Sequence, residues 1–297
     1  MADNGEKMAI EKVIVITGCS SGIGLDTAIL LAKDRGVKVI ATMRNLQKKT
    51  SLEKAAGETL NKSLIIKELD ISKEESIVNF VKTTLAEEGK IDVLVNNAAI
   101  GQIGTFESVS MKQMQDLFQT NFFGTVKITQ EVVTHMKKRK SGHVIFVSSV
   151  GGLRPFPFSD FYVASKFAIE GIVGNLAPVL RQFNVRITSV EPGPVKTSMG
   201  ANIEANNQGK LSFGREPQVK GSEDETLMNT FFTNYLGSFA GIEQTGTEIG
   251  EVIKKCINEA LPPVRIQTSD ATIKMAKEVL MDHTGNNVTE ELQSFFK

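Results

Sequence analysis

The sequence predicts an α/β fold in which seven parallel strands form a doubly wound sheet with helices on both faces. Short, continuous apolar runs alternate with longer segments of helical periodicity, which is typical of strands that are buried on both faces. A glycine-rich turn follows the first apolar run, and no linker-like tract divides the 297 residues. We therefore expect one domain that spans residues 1–297.

Each predicted strand is one apolar run. In chain order these runs are 13–16, 37–42, 64–70, 91–95, 143–148, 185–190 and 264–268. Helical spacing follows over 23–35, 72–85, 110–140, 162–183 and 249–257. Ser72 and Glu75 have the spacing of a capping box, which predicts a helix start. Ser110 and Gln113 have the same spacing. Residues 198–245 interrupt the alternation, and we interpret them as an excursion that covers the substrate site.

Composition argues against nucleic acid, metal and membrane-spanning functions. The 34 basic residues balance 34 acidic ones, so there is no basic surplus for a phosphate backbone. Three scattered histidines lack metal-ligand spacing, and two cysteines fit a reducing compartment. No apolar stretch approaches the roughly 18 residues that a transmembrane helix needs. We expect a cytoplasmic protein, for which peripheral contact with a membrane remains open.

The turn after the first predicted strand has the composition of a dinucleotide-binding loop. It reads Thr17-Gly18-Cys19-Ser20-Ser21-Gly22-Ile23-Gly24 and opens the first helix. Glycines allow close approach to a pyrophosphate, and a helix N-terminus supplies N–H groups and partial positive charge. The alternative is an ordinary glycine-rich βα turn. The predicted ligands are Gly18, Ser20, Ser21, Gly22, Ile23 and Gly24.

The end of the second predicted strand indicates which nicotinamide cofactor is preferred. An acidic residue there would bind the ribose 2′-hydroxyl and repel a 2′-phosphate. This chain has Arg44, whose guanidinium can pair with a phosphate. The prediction is NADP(H) in preference to NAD(H); the alternative is a solvated arginine. Asp70, after the third strand, is placed to bind adenine or simply to cap a turn.

Ser149, Tyr162 and Lys166 have the spacing of an acid–base centre. Tyr162 and Lys166 are four residues apart, so a helix would place both side chains on one face. A phenol titrates near pH 10, and a nearby cation favours its charged form. Ser149 ends the fifth predicted strand, where alternation sends Ser148 to the opposite face. The alternative for Tyr162 and Lys166 is an ordinary surface pair.

Together these motifs resemble the short-chain dehydrogenase/reductase family, whose fold is the Rossmann fold. The motifs that follow its order and spacing are the glycine loop, Asn96-Asn97-Ala98, Asn121, Ser149, Tyr162, Lys166 and Pro192-Gly193, mainly within residues 12–197. The likeness extends to the branch of oestradiol 17β-dehydrogenase type 1 and the photoreceptor retinol dehydrogenase. Ala99 departs from the family pattern, which has glycine there. We expect the alanine to weaken nucleotide binding or to be accommodated by a small shift.

The resemblance implies a role for each site residue. Tyr162 would be the general acid in reduction and the general base in oxidation, and Lys166 would lower its pKa and bind the nicotinamide ribose. Ser149 would orient the substrate oxygen. Asn121 would hold a water that links Lys166 to solvent; the alternative is an asparagine that only kinks its helix or forms hydrogen bonds. The further implied cofactor ligands are Asn97, Tyr162, Val195 and Thr197.

Apolar side chains predict the substrate pocket. Residues 225–239 have one broad apolar helical face. The predicted lining residues are Ser149, Phe156, Phe158, Met228 and Phe232, although the aromatic groups could equally pack the core. Oestrogen-specific members of the branch carry a histidine on this lid. Residues 198–245 contain none, which favours a retinoid or another lipid ketone.

The sequence therefore predicts an NADP(H)-dependent oxidoreductase that interconverts an apolar secondary or allylic alcohol and its ketone or aldehyde, of the steroid or retinoid class. The second hypothesis is a non-catalytic nucleotide-binding sensor or scaffold on the same fold. The expected partner is a small apolar substrate, and no nucleic acid is expected. Family members pair through the helices near 110–140 and 162–183, so the resemblance also implies a homodimer.

Overall fold

The computed structural model describes residues 11–197 and 223–297, with Leu236 described by its backbone alone. Its strands are β1 (Lys12–Ile16), β2 (Val37–Met43), β3 (Leu64–Glu68), β4 (Val93–Asn96), β5 (Gly142–Val147), β6 (Val185–Glu191), β7 (Val195–Lys196), β8 (Gln244–Thr245) and β9 (Arg265–Gln267). Seven of them form one parallel sheet in the order β3-β2-β1-β4-β5-β6-β9. The predicted fold class is confirmed. The strand order reverses between β1 and β4, where sheets of this kind bind ligands.

Helices cover both faces of the sheet. They are α1 (Gly22–Ala32), α2 (Thr50–Ala56), α3 (Glu74–Glu88), α4 (Met111–Phe118), α5 (Thr125–Arg139), α6 (Asp160–Arg181), α7 (Glu223–Gly237), α8 (Gly246–Asn258), α9 (Asp270–Met281) and α10 (Asn286–Ser294). The part of the predicted excursion that falls at 198–222 lies outside the described residues. Its remainder forms α7 and β8.

Strand β1 shows why the apolar runs are continuous. Val13 and Val15 face a core shared with α3, α5 and α6. Ile14 and Ile16 face the opposite core, shared with α1 and α8. Because both faces are covered, the buried part of the strand, residues 13–16, contains no polar residue. Each fully buried aliphatic side chain stabilises the fold by roughly 1.5–3 kcal/mol.

The two predicted capping boxes have different outcomes. Ser110 accepts a hydrogen bond from the Gln113 backbone, and the Gln113 side chain accepts one from the Ser110 backbone, so that prediction is confirmed. The predicted capping box of Ser72 and Glu75 is wrong. Its hydroxyl donates to the Asp70 carboxylate at 2.7 Å, and α3 instead begins after Lys73. A competing turn has engaged the capping hydroxyl.

The helix predicted over 110–140 is interrupted by a π-helical turn at Gln119–Gly124. Close packing accompanies the interruption, since a Cβ built on Gly124 would lie only 1.9 Å from the Ile71 carbonyl oxygen. The turn contains Asn121, which is buried. Wide turns of this kind are frequent at functional sites.

Helix α6 is long and apolar enough to cross a membrane, by length and composition alone. The sequence predicts no membrane-spanning segment, and α6 differs from that expectation by this criterion. In the fold, α6 buries Ile169, Val173 and Leu180 in the core beside the sheet. Core helices that are packed within a fold can have this length and composition, so these two properties alone do not distinguish α6 from a membrane span.

Candidate active site

A cleft of about 720 Å³ opens at the carboxyl ends of the strands, around the point where the strand order reverses. Its walls come from the turns that follow β1, β2, β3, β4, β5 and β6. The predicted site residues that line it are Gly18, Ser20, Ser21, Gly22, Ile23, Arg44, Asp70, Asn97, Ser149, Tyr162, Lys166, Val195 and Thr197. Topology therefore brings the two proposed halves of the site, nucleotide and acid–base, into one cavity.

The glycine loop after β1 forms the floor of the nucleotide half. Gly18 has a φ of +74°, and a Cβ built on it would lie 2.7 Å from the Ala98 Cα atom. Only glycine fits both the dihedral angle and the contact. Helix α1 begins at Gly22, so its first-turn N–H groups have no intrahelical acceptor. A cradle of this shape, closed to a side chain, fits the diphosphate of a dinucleotide.

Asn97 braces this loop from the turn after β4. Its Nδ2 donates to the carbonyl oxygens of Thr17 and Gly18, at 2.8 and 3.0 Å. The Thr17 hydroxyl in turn accepts hydrogen bonds from the backbone N–H groups of Asn97 and Ala98. The structure therefore gives Asn97 a structural role in addition to its place on the cleft wall. Ala99 lines the cleft beside these residues.

The adenosine end of the cleft carries two exposed cations. Arg44 follows β2 directly and lines the cleft. Lys48, one turn further on, also lines it and was missed from the sequence because it looked like one of several surface lysines. Asp70 lines the same end, while its carboxylate accepts hydrogen bonds from the backbone and hydroxyl of Ser72. Asp70 therefore caps a turn, as one of the two interpretations predicts, and it also lines the cleft.

The segment after β6 closes the cleft from the other side. Val195 and Thr197 line the cavity, and β7 pairs with β8 in a short parallel ladder that the sequence did not predict. A Cβ built on Gly22 would lie 3.3 Å from the Thr197 side chain. Thr197 thus reaches the glycine loop, which is where a residue that contacts the pyrophosphate must lie.

Tyr162 and Ser149 meet in the cleft. Burial raises the pKa of the Tyr162 phenol, and a side-chain hydrogen bond with Ser149 lowers it. Burial is the larger effect, so in the structure the phenol is held in its neutral, proton-donating form at pH 7. Lys166 is not among the groups that lower this pKa, and the effect that the resemblance assigns to it stays a prediction. Ser149 also accepts a hydrogen bond from the Gly151 backbone at 3.0 Å, which fixes its rotamer.

Ser148 is distinguished from Ser149 by its contacts, although both line the cleft. Its hydroxyl is buried and has no hydrogen-bond partner in the described part of the chain. A Cβ atom built on Gly152 would lie 2.9 Å from the Ser148 Oγ atom, so Ser148 packs against Gly152. The Ser149 hydroxyl, and not that of Ser148, is therefore the one beside the phenol.

Lys166 is buried beneath the cleft, one turn after Tyr162. Its Nζ donates to the Val147 carbonyl oxygen at 2.9 Å and lies 5.6 Å from the centre of the Tyr162 ring. Burial lowers the pKa of Lys166 to about 8, while the negative charge of Glu170 raises it. The ammonium is thus mostly charged at pH 7 and loses its proton as the pH rises through about 8.

Asn121 does not line the described cleft but holds one of its walls. Its Oδ1 accepts a hydrogen bond from the Ile100 backbone, and its Nδ2 donates to the Ile100 carbonyl oxygen at 2.9 Å. Nδ2 also lies 3.2 Å from the Ser165 hydroxyl, next to Lys166 in sequence. Asn121 is therefore a hydrogen-bonding residue, as the alternative interpretation predicts, and it lies in the π-helical turn.

The predicted aromatic pocket residues lie elsewhere. Phe156, Phe158 and Phe232 pack together with residues of α7 and the C-terminus, and Met228 is buried. None of these four lines the described cleft, which Phe239 does. The physical reason is that contacts between rings remove more apolar surface from water than contact with an open cavity does. Of the predicted substrate residues, only Ser149 lies on the cleft wall.

Two further residues of the glycine loop, Cys19 and Gly24, have packing roles. Burial raises the pKa of the Cys19 thiol to about 12, so this residue of the glycine loop is an inert spacer at neutral pH. Gly24, also predicted as a ligand, packs its α-carbon against Asn97 and the Gly18 carbonyl. Within residues 11–197 and 223–297, no three His, Cys, Asp or Glu side chains are grouped to hold a metal ion.

Known proteins resemble the chain over most of its length. A family model described as short chain dehydrogenase matches residues 12–208. Retinol dehydrogenase 8 of Homo sapiens is 41% identical over 267 residues, which are 88% of this chain and 82% of that protein. 17-beta-hydroxysteroid dehydrogenase type 1 of Homo sapiens is 34% identical over 285 residues, 93% of this chain and 83% of that protein.

Solved structures share the architecture. A short-chain dehydrogenase from Streptomyces avermitilis has a TM-score of 0.72 at 25% identity, covering 99% of this chain and 97% of that one. The structure described as ElxO with NADP bound has a TM-score of 0.72 at 22% identity, covering 89% and 99%. The latter likeness supports the fold alone.

Proposed function

Because the chain belongs to the short-chain dehydrogenase family, we propose that it is an NADP(H)-dependent oxidoreductase that interconverts an apolar alcohol and its ketone or aldehyde. One observation carries the proposal. Ser149, Tyr162 and Lys166 converge on a cleft whose other end is a glycine cradle. A non-catalytic nucleotide sensor would need the cradle but not the three polar side chains.

The chemistry divides between cofactor and protein. The nicotinamide, when bound, supplies the hydride for reduction or accepts it in oxidation. The oxygen of the reduced carbonyl needs a proton, which the neutral Tyr162 hydroxyl donates. Ser149 hydrogen-bonds the same oxygen and orients it. The Lys166 charge stabilises the phenolate that remains, and in oxidation that phenolate takes the proton back.

After each turnover, a proton must pass between Lys166 and solvent, and we assign this step to Asn121. The resemblance places a water between Asn121 and Lys166, and the contacts of Asn121 support that role. Its carboxamide is fixed on Ile100 and Ser165, so it presents a constant orientation next to the helix turn that holds Lys166. A rigid carboxamide can order a water that exchanges protons with solvent.

The preference for NADP(H) is proposed from the cations at the adenosine end. Arg44 and Lys48 line that end, and no acidic side chain stands directly after β2, where one would repel a 2′-phosphate. Arg44 is exposed and has no ion-pair partner among the described residues, so it is available to a phosphate. NAD(H) would bind the same cradle without this contribution.

The proposed substrate is an apolar secondary or allylic alcohol, or its carbonyl, of the retinoid or steroid class. The names of the two relatives, a retinol and a hydroxysteroid dehydrogenase, support that class. Phe239 gives the cleft an apolar wall. Residues 198–245 contain no histidine for a phenolic hydroxyl, which favours a retinoid over an oestrogen.

We also propose a cytoplasmic homodimer, with peripheral membrane contact allowed. Phe123, Phe167 and Phe183 are exposed on or next to helices α5 and α6, where family members pair. Burying such side chains against a second copy is favourable. Light scattering of the purified chain should give twice the mass of 32.4 kDa, and a monomer at micromolar concentration would contradict the dimer.

The test of the function is an assay of NADPH oxidation with a panel of carbonyls. The panel contains all-trans-retinal, an oestrogenic ketone, a non-phenolic steroid ketone and a small cyclic ketone. We expect turnover with retinal or the non-phenolic steroid, at a higher kcat/KM than with the small ketone. NADPH binding without oxidation by any carbonyl would support the sensor instead.

A further inference from the structure

A buried arginine stands close behind the catalytic serine. Arg154 is 2% exposed, although arginine is almost never this buried without a partner. Its backbone N–H donates to the Val150 carbonyl oxygen at 2.9 Å, which continues the turn that Ser149 begins. The side chain therefore leaves from the same short segment that holds Ser149 in the cleft.

The guanidinium joins this segment to two helices from the end of the chain. Its Nη2 lies 2.6 Å from the Glu291 carboxylate on α10, and Nη1 lies 3.8 Å from Glu278 on α9. Neither Nε nor Nη2 makes a well-aligned hydrogen bond to a described residue, so the contact between Nη2 and Glu291 is an ion pair by distance and charge. Both carboxylates are partly exposed, so the cation lies inside the fold while its counter-charges lie at the boundary. Burying a charge with an incomplete set of partners costs free energy of folding. Interactions that the arginine makes possible elsewhere in the fold must offset that cost.

Besides α9 and α10, helix α7 also lies near Arg154. Burial raises the pKa of the Tyr235 phenol on this helix; the Arg154 charge lowers that pKa and the Glu291 charge raises it. The Tyr235 ring packs 4.9 Å from Phe156 and 5.0 Å from Phe239, measured between ring centres. Phe239 lines the cleft. Arg154 thus lies where the serine segment, α7 and the C-terminal helices meet.

We propose that Arg154 is a positioning residue that holds α9 and α10, and through them α7, against the serine segment and so shapes the substrate end of the cleft. Its planar guanidinium can pair with carboxylates on two helices at once, which an apolar residue cannot do. The effect on substrates rests on the proposed function, whereas the docking of the helices does not.

Two variants and one control separate the positioning role from general stability. Arg154→Met removes the charge at similar volume, and Glu291→Gln removes its nearest partner from a side chain that is 45% exposed. Lys274→Ala is the control, because Lys274 lies 3.8 Å from Glu278 on the solvent side and is 79% exposed. Deuterium exchange is measured in the full-length protein, together with KM values for all-trans-retinal and a small ketone and the Kd for NADPH.

In both variants we expect exchange in 223–237 and 286–294 to become at least tenfold faster, with 64–96 unchanged. KM for retinal should rise about tenfold, while KM for the small ketone and Kd for NADPH stay within twofold. The control should match wild type throughout. If Arg154→Met does not fold, Glu291→Gln decides alone.

Two results would overturn the proposal. The first is wild-type exchange in α7 and α10 in the variants. The second is an equal loss for retinal, the small ketone and NADPH, which would show only a less stable protein. If wild type reduces no carbonyl, the proposed function fails, and the exchange measurement still decides whether Arg154 docks these helices.

Discussion

The Lys166 ammonium lies 5.6 Å from the centre of the Tyr162 ring and donates to the Val147 carbonyl oxygen, so it stands beneath the phenol and is anchored to the end of β5. Both side chains are on α6, and their relative position follows from helix geometry. The strand end fixes the ammonium, and the helix fixes the ring. Proton transfer at Tyr162 is therefore coupled to whether Lys166 is charged.

The first prediction concerns pH. Burial lowers the pKa of Lys166 to about 8, so the ammonium is charged below that pH and neutral above it. The neutral phenol is the proton donor, and its raised pKa keeps it protonated over the same range. We expect kcat/KM for reduction to be flat below about pH 8 and to fall above it. In Lys166→Arg the fall should vanish because arginine stays charged.

The pH profile is checked with NADPH and one carbonyl from pH 6 to 10. If the variant loses all activity, the wild-type profile alone decides. A rate that rises through pH 8 would contradict the account, since it would require the neutral lysine.

The second prediction concerns cofactor choice. Arg44→Ala should raise KM for NADPH about tenfold, equivalent to roughly 1.4 kcal/mol, and leave KM for NADH within twofold. Lys48→Ala should act in the same direction more weakly, because lysine pairs with a phosphate as a point charge. Lys49→Ala is the matched control, since Lys49 pairs with Glu53 and does not line the cleft. Equal effects on the two cofactors would refute phosphate recognition.

The third prediction concerns the cradle. Gly18→Ala introduces a Cβ that would meet Ala98 at 2.7 Å, at a φ of +74°. The added atom and the strained dihedral angle must move the loop, with a cost on the order of 1–3 kcal/mol. We expect NADPH binding to weaken at least tenfold in titration calorimetry. Wild-type affinity would show that the diphosphate lies elsewhere.

A substantial part of the fold is predictable from local pattern. Strand β1 is recognisable because Val13 and Ile14 are buried on opposite faces, which leaves no polar residue in the run. Ser149, Tyr162 and Lys166 are predictable because the chemistry needs those residue types and the topology fixes where strand ends meet. The cap at Ser110 is equally local.

What sequence misses depends on distant or competing contacts. Ser72 looks like a cap until Asp70 engages it. Phe156 and Phe158 look like pocket residues, but they pack with α7 and with rings from the chain's end. Arg154 pairs with Glu291, which is 137 positions away, and no periodicity indicates that contact.

The fourth prediction concerns stability and acid. His143 is buried with its ring nitrogen 3.0 Å from the Thr188 hydroxyl, and burial, with Arg186 and Lys12, lowers its pKa to about 3. The unfolded chain takes up a proton below about pH 6.5, whereas the folded one does not. Stability that is complete above pH 6.5 is therefore lost as pH falls from 6.5 toward 3.

Between pH 7.5 and 5.5, we expect wild type to lose about 1.4 kcal/mol more of its free energy of unfolding than His143→Gln does. Urea unfolding at the two pH values measures the difference. The exposed His135 gives the control, since His135→Gln should keep the wild-type pH dependence. Identical slopes in His143→Gln and wild type would show that folding does not lower the pKa of His143.

The most direct test of the central claim is the rate of carbonyl reduction by Tyr162→Phe with NADPH at pH 7. The substitution removes one hydroxyl and keeps the ring above Lys166. We predict that kcat falls about 10²–10⁴-fold, which is the usual contribution of a positioned acid. The Kd for NADPH should change by less than threefold, because one hydroxyl among many cofactor contacts is lost, and the melting temperature should stay close to that of wild type. A kcat within threefold of wild type would show that Tyr162 is not the proton donor.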